Sequence, residues 1–229
     1  MKIKGLQKLT LLDYPEKLAC TVFLGGCNFR CPFCHNASLV IPGREGEDIS
    51  EEELFSFLSS RVGRLGGVCI SGGEPTLHPD LRDLICKIRE MGFAVKLDTN
   101  GYRPEVLREL LSEGLVDYVA MDIKSSPEGY GRCVGIEDLD LKPIYESAAQ
   151  LMEGKVDYEF RTTVVKELHT KEDIVSIGRW LAGEESFFLQ SFKDSGDILC
   201  EGMSAYSDGE MRELEEALRE YIPRAVWRG

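Results

Sequence analysis

Positive charge is scarce in this sequence. Against 40 aspartates and glutamates stand 27 lysines and arginines, a formal charge of −13. That balance argues against a broad basic face for nucleic acid, so any anionic ligand must be met by a local pocket. No stretch approaches the roughly 20 apolar residues of a membrane span. The opening, MKIKGLQKLTLLDYPEKLACTVFLGG, is broken by charged and polar residues before a signal-type apolar run can develop. The expectation is a cytoplasmic protein whose thiols stay reduced, with neither membrane nor nucleic acid as a partner. Its eight cysteines then read as metal ligands or buried thiols rather than a disulfide frame. A low-complexity linker is missing, and so is a second CxxC pair. Three thiols nevertheless crowd into CNFRCPFC, residues 27 to 34, with no obvious fourth.

What is present is a steady alternation of β-type runs and longer amphipathic segments, the pattern of a parallel sheet with crossover helices. The strand runs are residues 19 to 24, 67 to 71, 93 to 98, 116 to 123, 156 to 165 and 186 to 192. Helical patterns cover 50 to 62, 78 to 92, 103 to 114, 142 to 154, 170 to 183 and 208 to 222. The first opens with Ser50 and Glu53 in capping-box spacing. The chain reads as one domain over 1–229, with a hairpin or extended leader (1–15), a core (16–192) and a C-terminal loop and helix (193–229). Functional loops of parallel α/β sheets lie at the carboxyl ends of strands. Here those ends carry GGCNFRCPFCHN, GGEPT, DTNG and MDIK.

Cys27, Cys31 and Cys34 share one loop, and thiolates favour zinc, copper(I) and iron–sulfur clusters. A structural zinc site closes with four ligands, commonly two spaced pairs, which this chain lacks. A four-iron cluster held by three cysteines keeps one iron open to a small chelating ligand. Gly72 and Gly73 allow close backbone approach, and Glu74 could accept from an ammonium group. Asp122 and Lys124 alternate onto one strand face and together suit an amino acid head group. Taken singly, these are a turn and a surface ion pair.

Their coincidence at successive strand ends strongly resembles the radical S-adenosylmethionine superfamily, whose signature is CxxxCxxC followed by GGE. The run TLLDYPEKLACTVFLGGCNFRCPFCHN, with DTNG and MDIK, looks like the activating enzymes of glycyl radical proteins, most closely those of anaerobic ribonucleoside-triphosphate reductase. The resemblance implies a partial, open (β/α)6 barrel with a 4Fe-4S cluster and S-adenosylmethionine as cofactors. It implies an oxidoreductase that cleaves S-adenosylmethionine to a 5′-deoxyadenosyl radical, which takes hydrogen from a glycine of the partner. Flavodoxin or ferredoxin would supply the electron. By residue, it implies that Cys27, Cys31 and Cys34 bind the cluster and Phe33 lies beside the adenine. Gly72, Gly73 and Glu74 would hold the methionine amino end, Asp122 the amino group and Lys124 the carboxylate. Asp98 and Thr99 are candidates for a monovalent cation or cofactor site. Arg161 is either near the cofactor and incoming peptide or in a salt bridge of the barrel.

Two departures stand out. Several activating enzymes carry a histidine near strand six, whereas FFLQSFKD offers Gln190 or Lys193 for the ribose. The compact activators of the anaerobic reductase are also shorter. Competing readings are a radical enzyme acting on a small molecule or peptide, and a metal-binding regulatory module without turnover. Cys20, Cys69 and Cys86 read as core thiols, while Cys133 and Cys200 fall in polar loops nearer a partner. His78 reads as a helix cap, His169 as a solvated loop residue, and Tyr130 and Arg132 as a surface loop.

Overall fold

The computed structural model describes the 229-residue chain apart from residues 42, 44, 45, 185 and 195. In chain order the elements are β1 (Ile3–Thr10), β2 (Ala19–Leu24), α1 (Ala37–Val40), α2 (Glu51–Ser59), β3 (Gly67–Gly72), a 3₁₀ turn (Pro75–Leu77) and α3 (Leu81–Glu90). They continue with β4 (Ala94–Thr99), α4 (Pro104–Ser112), β5 (Tyr118–Asp122), α5 (Tyr130–Val134), α6 (Lys142–Met152), β6 (Asp157–Val164), α7 (Lys171–Trp180), β7 (Phe187–Ser191), α8 (Asp208–Arg219) and β8 (Val226–Arg228). No helix among the described residues is long and apolar enough to cross a membrane.

Hydrogen-bonded strand order runs from β1 to β8 in sequence, an open sheet. The six expected strands are β2 to β7, and the open (β/α)6 core stands. Each crossover carries a helix that the 3.6-residue period had marked. Ser50 accepts from the Glu53 amide while the Glu53 carboxylate accepts from the Ser50 amide, so α2 starts where the capping box places it. Thr170 with Asp173 and Ser207 with Glu210 repeat the device on α7 and α8.

One strand and two short helices were not read from the sequence. The leader, expected as a hairpin or extended segment, is extended: β1 is a full strand that pairs antiparallel with β2. Its segment IKGLQKLT is buried only at its ends, so it shows no period-two alternation. The three-residue β8 pairs parallel with β7 and is too short to leave a pattern. The helices α1 and α5, of four and five residues, are likewise below one apolar repeat.

The chain forms two compact units, each discontinuous in sequence. Unit 1 comprises Met1–Asn28, Ser38–Ala120 and Pro143–Tyr158. Its core is the fully buried Val22, Leu24, Val68, Ile70, Val95 and Leu97 of β2 to β4, packed with Leu54, Leu58, Ile85 and Ile88 of α2 and α3. Unit 2 comprises Phe29–Ala37, Met121–Lys142 and Glu159–Gly229. Phe160, Phe187, Leu189, Ile174, Ile177 and Leu218 are its fully buried centre. Strands covered on both faces need near-continuous apolar runs, which made them legible.

Candidate functional site

In unit 1 the loops following β2, β3 and β4 are stitched together, and Glu74 is the knot. Only 1% exposed, its Oε1 accepts from Thr76 N (3.0 Å), Thr76 Oγ1 (2.5 Å) and Thr99 Oγ1 (2.8 Å). Its Oε2 accepts from Asn100 N at 2.7 Å. Burial pushes the Glu74 carboxyl up, against the pull of these donors. The glycines before it serve the same junction. A Cβ on Gly72, whose φ is +117°, would lie 2.3 Å from the Leu24 carbonyl oxygen. One on Gly73 would lie 1.9 Å from that of Gly26. Backbone bonds from Gly73 N to Leu24 O and from Glu74 N to Gly26 O, each 2.8 Å, occupy that space. The close approach that the glycines permit is thus to the chain leading into Cys27.

Asn100, which sequence reasoning passed over, extends the junction to the first thiol. Its Nδ2 donates to Asn28 Oδ1 at 2.8 Å and stands 3.9 Å from Cys27 Sγ. His78, expected to cap the helix that follows, does not: the N-cap of α3 is Asp80, and His78 bonds through Nε2 to the Gly25 carbonyl at 2.9 Å. Asp98 is ion-paired with Lys96 and accepts from Ser71 Oγ at 3.1 Å. Thr99 accepts from Gly101 N as well as donating to Glu74.

Unit 2 carries the other two thiols and the charged residues. Cys31 and Cys34 form a turn, with Cys34 N donating to Cys31 O at 3.0 Å. It is braced by Arg30 N to Val134 O (2.9 Å) and Cys200 N to Pro32 O (3.0 Å). Gly135, at φ +72°, lies where a Cβ would be 2.8 Å from the Arg30 carbonyl, so a glycine is required beneath this turn.

Asp122 Oδ2 meets Lys124 Nζ, and its Oδ1 meets Arg161 Nε, each at 3.0 Å. Burial alone would raise the Asp122 carboxyl, but the two cations outweigh it and hold it at about 2. The Lys124 ammonium is likewise held well above its ordinary value: burial opposes this, and Asp122 and the Cys31 thiol overcome it. Cys34 is pushed up by burial, with Lys124 pulling the other way. Arg161 therefore sits in a salt bridge, the second of its two expected places. Gln190 pairs in register with Thr163, two residues beyond Arg161, and so lies on the same sheet face.

Several expectations for unit 2 need correction. His169 is fully buried rather than solvated. Its Nδ1 accepts from Val165 N at 3.0 Å, which leaves Nε2–H to donate to the Lys124 carbonyl at 2.8 Å. The Phe33 ring stands edge-on to it at 6.1 Å. Tyr130 and Cys133 are also fully buried, not parts of a surface loop. The Cys133 thiol points to the Leu168 carbonyl and His169, so it packs inward rather than toward a partner. Arg132 anchors to that same carbonyl at 2.8 Å. Partners 35 to 45 residues away in sequence gave no local signal.

Among the described residues no group of three or more His, Cys, Asp or Glu side chains is arranged to hold a metal ion. An iron–sulfur cluster presents a separate iron to each thiolate. The surroundings suit it: soft sulfur donors, the Asn100 amide beside Cys27, and the Lys124 cation acting on Cys31 and Cys34. Asn28 Nδ2, next to Cys27, is a buried donor without a hydrogen-bond partner, as a site for an anionic group requires.

Comparison with known proteins agrees. Residues 21–181 match the radical SAM superfamily model. A Methanocaldococcus jannaschii protein named as a candidate glycyl-radical enzyme activating enzyme is 34% identical over 99% of this chain and 95% of its own length. The pyruvate formate-lyase-activating enzyme of Clostridium pasteurianum is 32% identical over 58% of this chain and 56% of its own. Among solved structures, Streptococcus suis SuiB bound to S-adenosylmethionine matches with a TM-score of 0.69 at 15% identity, covering 91% of this chain and 52% of that one. That likeness carries the fold alone. The chain belongs to the radical SAM superfamily, whose members work with a 4Fe-4S cluster and S-adenosylmethionine, and within it to the glycyl-radical enzyme activating enzymes, which are oxidoreductases.

Proposed function

We propose that this protein installs a glycyl radical on a partner enzyme, an anaerobic ribonucleoside-triphosphate reductase. The observation that carries the reading is the set Asp122, Lys124 and Arg161 in the same unit as the Cys31–Cys34 turn. Fixed charges of both signs beside thiolates suit the amino and carboxylate ends of S-adenosylmethionine. Held by Cys27, Cys31 and Cys34, a 4Fe-4S cluster would supply the electron for reductive cleavage of S-adenosylmethionine, and that cleavage would supply the means of removing a hydrogen atom from a glycine of the partner.

The chain's own residues supply binding and orientation. Cys27, Cys31 and Cys34 hold the cluster. Lys124 receives the carboxylate, and its pairing with Asp122 keeps the ammonium charged and fixed in direction. Asp122 and the loop of Gly72 and Gly73 receive the amino end. Glu74 acts by locking that loop, since its oxygens already accept four hydrogen bonds. Phe33, held by His169, offers a ring to the adenine, and Gln190 a polar contact to the ribose. Flavodoxin or ferredoxin would supply the electron, and the reaction would run in the cytoplasm, where thiols stay reduced.

Lys124→Ala is expected to weaken S-adenosylmethionine binding at least about tenfold, the worth of one charge-assisted hydrogen bond, while the visible absorption of the cluster persists. Equilibrium titration of the reconstituted protein reads this, and an unchanged affinity would remove Lys124 from the carboxylate. The proposal as a whole is tested by electron paramagnetic resonance on the reduced, reconstituted protein mixed with S-adenosylmethionine and the candidate reductase. A glycyl radical doublet on the reductase is the expected result. Release of 5′-deoxyadenosine without a doublet would reject this partner, and absence of cleavage would reject the activity.

A further inference from the structure

The resemblance implied a monovalent cation at Asp98 and Thr99, and the structure gives those residues other work. Asp98, whose side chain is 15% exposed, is ion-paired through Oδ1 with the Lys96 ammonium. Its Oδ2 accepts from Ser71 Oγ. Thr99 Oγ1 is taken by Glu74 and by the Gly101 amide. Lys96 stands two residues earlier on β4, on the same face as Asp98, and is only 1% exposed.

A buried ammonium needs a fixed counter-charge. Among the described residues, the other contacts of Lys96 offer no competing carboxylate. Its Nζ lies 5.8 Å from the centre of the Tyr118 ring, within cation–π reach, and 4.0 Å from Cys69 Sγ. All of these residues belong to unit 1, so the pair is complete within one compact body.

We propose that Lys96 permanently supplies the positive charge for which a sodium or potassium ion would otherwise be recruited at Asp98, and that this chain binds no monovalent metal there. A second cation about 4 Å from the ammonium would be disfavoured on the order of a thousandfold by repulsion in a partly buried setting. The consequence for cofactor affinity rests on the function proposed above; the occupation of Asp98 does not.

Two readouts separate these. The first is the melting temperature of the cluster-loaded protein, without S-adenosylmethionine, in choline chloride, sodium chloride and potassium chloride at equal ionic strength. The second is the affinity for S-adenosylmethionine in the same salts. For the unaltered chain the expected outcome is a common melting temperature and an affinity that varies less than twofold among salts. A saturable rise in melting temperature in sodium or potassium, or a tenfold tightening of binding, would overturn the proposal. Failure of S-adenosylmethionine to bind in every salt would sink the functional reading while the melting data still decide the cation. Lys96→Met removes the charge at similar length and takes the ammonium away from Asp98. This variant is expected to acquire a saturable stabilisation by potassium or sodium, and a folded variant indifferent to both ions would count against the inference. Should the variant not fold, the salt series on the unaltered chain is decisive by itself.

Discussion

Cys31→Ala is expected to abolish the chemistry altogether while leaving the protein folded. The residue is 8% exposed and its thiol sits in a turn whose backbone bonds, Cys34 N to Cys31 O and Arg30 N to Val134 O, do not depend on its side chain. Trimming sulfur to a methyl group therefore costs little packing. It removes one of only three thiolates in the loop, and the remaining two cannot retain a four-iron cluster. After anaerobic reconstitution the variant should show background iron, no visible cluster absorption and no 5′-deoxyadenosine. Cys200→Ala is the matched control. Cys200 is exposed and braces the turn through its backbone amide alone, so iron content and turnover should stay at the level of the unaltered protein. Cofactor cleavage at full rate in Cys31→Ala would remove that residue from the ligand set.

Gly73→Ala is expected to act with comparable force by a different route. The added carbon would stand 1.9 Å from the Gly26 oxygen and 2.6 Å from the Gly26 carbonyl carbon, both backbone atoms that no rotamer change can move. Accommodating it means shifting the peptide that leads into Cys27 and breaking the Glu74 N to Gly26 O bond. Overpacking against backbone sits at the upper end of the usual range, and a loss of about 3 kcal/mol or more is expected. Cluster retention should fall with it. Gly209→Ala is the counterpart in α8, where the new methyl meets nothing within 4 Å; there alanine should be neutral or slightly stabilising. The midpoint of urea unfolding compares all three proteins. A Gly73→Ala midpoint equal to that of the unaltered chain would mean the junction is not rigid.

Much of the fold and the core of the site were legible because their signals are local. Strands buried on both faces wrote themselves as apolar runs. The three-thiol loop and the strand-end motifs GGEPT, DTNG and MDIK lie within a few residues of each other in each case. What stayed hidden depends on partners distant in sequence. Glu74 reads as an open acceptor until Thr99 and Asn100, 25 and 26 residues on, are seen to saturate it. Lys96 drew no attention in the sequence, because a pairing only two positions away is invisible until the face they share is known to be buried. His169 has one partner four residues back and another 45 residues back, and only together do they make it a structural histidine. The edge strand β8 follows from its neighbour β7, not from any pattern of its own.

The Glu74 junction bears on how the protein is loaded with iron. The bonds from Thr76, Thr99 and Asn100 to the Glu74 carboxylate and from Glu74 to Gly26, which join strand ends in unit 1, run between polypeptide groups. Small zinc domains fold only when the metal arrives. Here the frame that presents Cys27 closes on the polypeptide's own hydrogen bonds, so loading in this unit is expected to be a docking event. Chelation would then strip the metal yet leave the frame standing, ready to be filled again without passing through an unfolded chain.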